Sequence, residues 1–198
     1  QLKTPLAGLR MQADLAQREE SNAQALRQSL KQIGRASVRA THTVNQLLAL
    51  ARAEGTGRPL ALQACNLPEM TMEVVRDALP RAMERRIDLG YEGAQPGTPH
   101  VNVEGNRTLL KEAISNLVDN ALNYTPSSEA HPGVVTVRVL ADPFGQVLVL
   151  QVEDNGPGIP EAERELVFQP FYRALGTNVD GSGLGLSIVR EIVRQHRG

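Results

Sequence analysis

Over the first fifty residues apolar side chains recur at alternating spacings of four and three, a repeat that restricts the segment to helices burying one stripe. Leu2, Leu6, Leu9, Ala13 and Ala16 form the first stripe, and polar residues from Arg18 to Asn22 interrupt it. Leu26, Leu30, Ile33, Ser37, Ala40, Val44, Leu47 and Ala51 then carry the same spacing over about four heptads. The pattern predicts two helices joined by a short polar turn. Val38, Leu48 and Leu50 lie off the seam, and a second copy of the chain is expected to cover them. The expected assembly is a homodimeric four-helix bundle, because two helices alone bury too little to offset about 1–2 kcal/mol of backbone entropy per residue. The alternative is a hairpin packed on the rest of its own chain.

Gly55, Gly57 and Pro59 end the repeat, since glycine terminates helices cheaply and proline cannot continue one. The expected division is therefore a helical hairpin over residues 1–54, a linker over 55–59 and a second domain over 60–198. A length of 198 residues suits one large or two small units. The 21 Lys and Arg against 22 Asp and Glu leave a net charge of -1, so nothing in the charge balance argues for a nucleic-acid partner. Aromatic residues make up only 3% of the chain, too few for a base-stacking platform. Cys65 has no partner in the chain and reads as a buried thiol, which fits a reducing compartment. No apolar run approaches the ~18 residues of a membrane span, and no signal-peptide pattern is read at the N-terminus.

Within the second domain, residues 60–62 and 87–91 read as strands. Residues 68–85 read as a helix capped by Asn66 or a near neighbour, and 93–99 as a turn-rich loop. Residues 106–124 form a strong helix pattern with Leu110, Ala113, Ile114, Leu117, Val118 and Ala121 facing inward. The β-branched runs 134–140 and 147–152 predict a hairpin around Asp142, Pro143 and Gly145. A last helix is expected over 183–197. Helices alternating with mostly antiparallel strands imply an α/β sandwich with helices stacked over one sheet, so the whole chain is expected to be α+β.

Three segments carry chemistry. Glu112, Asn116 and Asn120 recur every four residues on one helix face, and a carboxamide oxygen suits Mg²⁺ when a ligand's phosphates supply the charge. Asn116 is the first candidate for that ion; a solvated helix face is the plain alternative. Asp154-Asn155-Gly156-Pro157-Gly158 leaves a strand and turns sharply, and the Asp154 carboxylate can accept a hydrogen bond from the exocyclic amine of adenine. Gly181-Ser182-Gly183-Leu184-Gly185-Leu186 precedes a helix, so bare amides and the helix N-terminus can face a polyphosphate. It is neither a P-loop nor a dinucleotide fingerprint, because it lacks both the Gly-Lys-Ser/Thr ending and the Gly-x-Gly-x-x-Gly spacing.

In order and type, these segments resemble the N box (Asn116-Leu117-Val118-Asp119-Asn120), first glycine box and second glycine box of two-component sensor histidine kinases. Phe168-Gln169-Pro170-Phe171-Tyr172-Arg173 is similar to the family's F box, and Leu2-Lys3-Thr4-Pro5-Leu6 to its H box. The resemblance covers essentially the whole chain. It implies a dimerisation hairpin followed by an ATP-binding domain of the gyrase, chaperone and histidine-kinase type. It further implies a kinase that uses ATP and Mg²⁺ to phosphorylate a histidine and passes the phosphoryl group to an aspartate on a response regulator. ATP-binding positions carried over are Asn116, Asn120, Tyr124, Asp154, Gly156, Gly158, Arg173, Gly181, Gly183, Leu184 and Gly185, with Asn116 also at the metal. Thr4 matches the position associated with dephosphorylating the partner.

The departures are as informative. The family's acceptor histidine stands two residues before the leucine of the H box, which puts it immediately ahead of Gln1. His42, His100, His131 and His196 lack that context and read as surface or packing residues. Gln1 stands where the family often has an acidic residue, and a neutral amide cannot act as that base. Asn123 stands where a Lys or Arg commonly precedes Tyr124, which makes Arg173 the candidate for the phosphate charge and leaves Tyr124 to pack on adenine. Pro5 lacks an amide hydrogen and is expected to bend the first helix, a route for signal input. Residues 172–182, rich in glycine and polar side chains, are expected to form a lid over the nucleotide. The family usually continues past 195–198 into a final strand pair, so the chain is expected to be a piece truncated at both ends. The expected setting is the cytoplasmic portion of an inner-membrane receptor, with the membrane reached through other segments. Two rivals stand beside the kinase: an ATP hydrolase of the gyrase, mismatch-repair and chaperone group, with Glu112 activating water, and a non-catalytic nucleotide-binding dimer.

Overall fold

The computed structural model describes Leu30 and residues 61–142, 144, 147–173 and 183–198. The chain divides into two compact units, Gln1–Ala51 and Arg52–Gly198, and every described residue except Leu30 belongs to the second. The hairpin expected over 1–54 and the linker over 55–59 therefore lie outside the described residues, apart from Leu30, which is helical and exposed.

The second unit opens with β1 (Gln63–Asn66) and α1 (Leu67–Glu84), followed by β2 (Ile87–Gly93), β3 (Asn102–Gly105) and α2 (Arg107–Tyr124). It continues with β4 (Gly133–Ala141), β5 (Leu148–Asp154), two short 3-10 turns at Glu161–Glu163 and Leu166–Phe168, and α3 (Gly185–Gln195). This is a mixed α+β architecture, as the sequence pattern predicts. Both long helices start where their caps dictate. Asn66 Oδ1 accepts from Glu69 N at 2.9 Å, and Pro68 sits in the first turn, where its missing N–H costs nothing. Asn106 Oδ1 accepts from Leu109 N at 3.1 Å. α2 stops at Thr125, whose backbone is extended as the following Pro126 requires.

The strands form two separate sheets. β2, β4 and β5 make a three-stranded sheet in that order, with β2 parallel to β4 and β5 antiparallel to β4. β1 pairs antiparallel with β3, Gln63 opposite Gly105 and Asn66 opposite Asn102. Two expectations need correction. The strand expected at 60–62 begins at Gln63, because its register is set by β3, while Ala61 and Leu62 lie outside the ladder and Leu62 is exposed. β3 itself was not expected, since Asn102, Glu104 and Gly105 hide it and only Val103 is apolar within it. Two of the three strand pairs are antiparallel, as expected, and in the third the crossover from β2 through α2 returns the chain parallel.

Strict alternation along β4 places Val135, Val137 and Val139 inward, all fully buried. Against them pack Met70, Val74 and Ala78 of α1 and Ile114, Val118 and Ala121 of α2. Each of the larger side chains contributes roughly 1.5–3 kcal/mol by leaving water. Glu73 ties the helices together through Arg107 at 2.7 Å and Lys111 at 2.9 Å. α3 packs along α2 through the fully buried Ile188 and Ile192. Cys65 is buried as expected and donates to Gly105 O at 3.5 Å.

Candidate functional site

The site is organised by one stripe of α2. Asn116, Asn120 and Tyr124 follow one another at intervals of four residues and so lie over one another along about 12 Å of helix. Both glycine-rich segments meet this stripe, one at each end.

At the lower end stands Gly185, the first residue of α3. A β-carbon there would lie 3.2 Å from Asn116 Oδ1, 3.5 Å from Asn120 Oδ1 and 3.6 Å from Asn120 Nδ2. Asn116 is only 4% exposed, so it does not belong to a solvated helix face. Its Nδ2 donates to Glu112 O at 2.9 Å and lies 3.4 Å from Glu112 Oε1, which turns Oδ1 toward Gly185. A hard carboxamide oxygen aimed at a backbone cradle that a side chain would fill is a donor set that fits Mg²⁺ bound with phosphates.

At the upper end stands Gly156. A β-carbon there would come within 2.9 Å of Tyr124 O and 2.7 Å of Asp154 Oδ1, so only glycine lets this loop touch the end of α2. Asp154 closes the turn by accepting from Gly156 N at 2.9 Å. A carboxylate has lone pairs beyond that bond, and Asp154 is exposed at the end of β5. Gly158 takes φ +73, a backbone state that suits glycine, with open space where a side chain would go. Sequence reasoning missed Asn155. Its Oδ1 accepts from Val134 N at 2.8 Å, its Nδ2 donates to Pro132 O at 3.0 Å, and its own N–H reaches Val134 O at 3.2 Å. These bonds lace the loop to the start of β4, and the Asp-Asn-Gly spelling was the available signal for them.

The segment like an F box holds the other side of the second glycine run. Phe171 N donates to Gly183 O at 2.8 Å, and a β-carbon on Gly183, at φ +69, would lie 2.8 Å from Tyr172 O and from Phe171 C. The Tyr172 hydroxyl donates a hydrogen bond to the Glu163 carboxylate, and burial, followed by that carboxylate's charge and hydrogen bond, pushes the phenol up from its ordinary range. Arg190 of α3 lies over the Phe168 ring, 5.9 Å from its centre. Leu184 is fully buried and its carbonyl accepts from Ser187 Oγ at 2.8 Å. Arg173 is exposed beside this junction. Thr4 and Gly181 lie outside the described residues, as do residues 174–182 of the expected lid.

The stripe with its two glycine segments therefore joins Asn116, Asn120 and Gly185 at one end and Tyr124, Gly156 and Asp154 at the other. Known proteins resemble this chain in sequence and fold. Residues 105–198 match the family of histidine kinase-, DNA gyrase B- and HSP90-like ATPases. Residues 1–56 match the His Kinase A (phospho-acceptor) domain. Sensor protein kinase PmrB of Pseudomonas aeruginosa is 36% identical over 199 residues, which span 100% of this chain and 39% of that protein. Among solved structures, the catalytic domain of histidine kinase ThkA is 29% identical with a TM-score of 0.56, covering 68% of this chain and 82% of that one. ThkA in complex with response regulator protein TrrA shares the fold at a TM-score of 0.73 and 23% identity, over 100% of this chain and 52% of that one. The chain belongs to the two-component sensor histidine kinases, as a His Kinase A region followed by an ATPase-type domain. It spans about two fifths of the length of the curated relatives it matches. Among the described residues no helix is long and apolar enough to cross a membrane.

Proposed function

We propose that this chain is the catalytic core of a protein-histidine kinase that binds Mg-ATP between its two glycine segments. The observation that carries this reading is the convergence of Gly185 and Gly156 on the Asn116–Asn120–Tyr124 stripe. In this reading the Asp154 carboxylate accepts from the exocyclic amine of adenine while Tyr124 packs on the ring. Gly156 and Gly158 let the backbone approach. Gly181, Gly183, Leu184 and Gly185 offer amides to the phosphates, with Asn120 beside them and Arg173 supplying positive charge. Asn116 holds Mg²⁺ through Oδ1, and the ion, when bound, supplies charge neutralisation on the polyphosphate. Positioning and electrostatics then account for most of the catalysis, as in phosphoryl transfer generally.

The phosphoryl acceptor is a histidine encoded immediately ahead of Gln1, and an aspartate of a response regulator receives the group next. Thr4 holds by its hydroxyl a water that attacks the phosphoaspartate of the response regulator, releasing inorganic phosphate and the free carboxylate. The working unit is a homodimer through the four-helix bundle over 1–54, in the cytoplasmic portion of an inner-membrane receptor whose membrane segments lie elsewhere. A longer chain carrying the upstream histidine, given ATP labelled at the γ-phosphate, is expected to acquire acid-labile phosphate and pass it to a receiver domain. Rapid phosphate release without acid-labile label, abolished in Glu112→Ala, would instead establish a hydrolase. Nucleotide binding with neither outcome would leave a conformational module.

A further inference from the structure

His196 has no part in the site described above, yet its imidazole joins the two helices that build it. Nδ1–H donates to Ile192 O at 2.7 Å, one turn back in α3. Nε2 accepts from Asn106 N at 2.9 Å. That pair of bonds fixes one neutral tautomer, with the proton on Nδ1. Asn106 is the N-cap of α2, and its amide has no partner inside that helix. Room for the ring comes from Gly105, where a β-carbon would lie 2.8 Å from His196 Cδ2.

The two helices run antiparallel. The first residue of α3, Gly185, lies against Asn116 and Asn120, whereas His196 just past its end lies against Asn106. The contact at Asn106 is thus about 15 Å along α2 from Asn116. Between these points the helices meet through buried apolar side chains such as Ile188 and Ile192. Apolar contact is non-directional and tolerates sliding, whereas hydrogen bonds weaken steeply off their line.

We infer that His196 is a positioning residue: by clasping the end of α3 to the N-cap of α2, it sets the register in which Gly185 meets Asn116 and Asn120. It thereby governs the phosphate and metal end of the nucleotide site. The purine end, built from β5 and the last turn of α2, does not depend on it. This inference rests on the Mg-ATP reading above.

Three variants of the full chain dissect the clasp. In His196→Gln, Oε1 can take the place of Nε2 and keep the bond from Asn106. His196→Asn offers Nδ2 in place of Nδ1 and keeps only the bond to Ile192. His196→Ala keeps neither. Titration calorimetry with Mg-ATP and with adenosine is expected to leave His196→Gln unchanged within about twofold. His196→Asn and His196→Ala should lose roughly three- to tenfold in Mg-ATP affinity, the worth of one hydrogen bond, with adenosine affinity unchanged. Equal Mg-ATP affinity in all variants would overturn the clasp, and so would a parallel loss for adenosine and Mg-ATP. Should His196→Ala fail to fold, the Gln and Asn pair still decides. Failure of the unaltered chain to bind Mg-ATP would sink the nucleotide reading alone. Amide hydrogen exchange at Asn106, slow in His196→Gln and fast in His196→Asn, would still judge the clasp.

Discussion

The two glycine segments reach the same helix by different means. The first is held at the surface. Exposed Asp154 closes its own turn, exposed Asn155 is laced to the start of β4, and Gly156 presses on the last carbonyl of α2. The second is anchored to the core: the backbone of Phe171 and Tyr172 presses on one side of Gly183, and Leu184 and Ile188, both fully buried, hold the other. Restraint at the surface means that a fault in the first segment should be felt mainly by the ligand. Restraint by the core means that a fault in the second should be felt by the fold as well.

Alanine substitutions put that contrast at risk. Gly183→Ala should be the most damaging. It adds a β-carbon 2.8 Å from two backbone atoms at a position whose φ of +69 already disfavours a side chain. A loss of about 3 kcal/mol or more in urea unfolding is expected. Gly156→Ala meets Tyr124 O at 2.9 Å and should cost about 1–3 kcal/mol in the same measurement, with a disproportionate fall in nucleotide affinity. If Gly156→Ala proves the more destabilising of the two, the contrast between surface and core restraint is wrong.

The smallest effect concerns the support beneath the stripe. Glu73 bridges α1 to α2, and its carboxyl is held below the usual glutamate range first by its hydrogen bond to Lys111, with Arg107 adding to the effect. A lowered carboxylate stabilises the fold above its ordinary titration range and loses that contribution as pH falls through the lowered value. Glu73→Gln should therefore show a slightly lower Tm at neutral pH. The gap from the unaltered chain should close under acid conditions and narrow with added salt. A gap that persists in acid would place the effect in packing instead of charge.

Much of this was legible in the sequence because its causes are local. The caps Asn66 and Asn106, the alternation of Val135, Val137 and Val139, and the turn after Asp154 are each written within a few neighbouring residues. The elements missed were those whose cause is remote. β3 exists because β1 lies beside it, and β1 starts at Gln63 because β3 fixes its register. Asn116 is the metal candidate from its place in a polar row, but its burial is not legible there, since Gly185 of α3 lies against it. His196 carried no signal at all, since its partner Asn106 lies 90 residues away in the chain. The role of Thr4 rests on the family resemblance and that of Gly181 on the glycine-rich spelling as well, and neither is among the described residues.

The central claim is a single nucleotide site with the purine at Asp154 and the metal-bound phosphates at Asn116 and Gly185. Titration calorimetry of Mg-ATP against the folded chain and against Asp154→Asn tests it most directly. The account requires one bound nucleotide per chain, and an affinity at least about tenfold weaker in the variant, whose amide can turn a donor toward the adenine amine. A folded chain that takes up no Mg-ATP, or a variant that binds it equally well, would contradict the account.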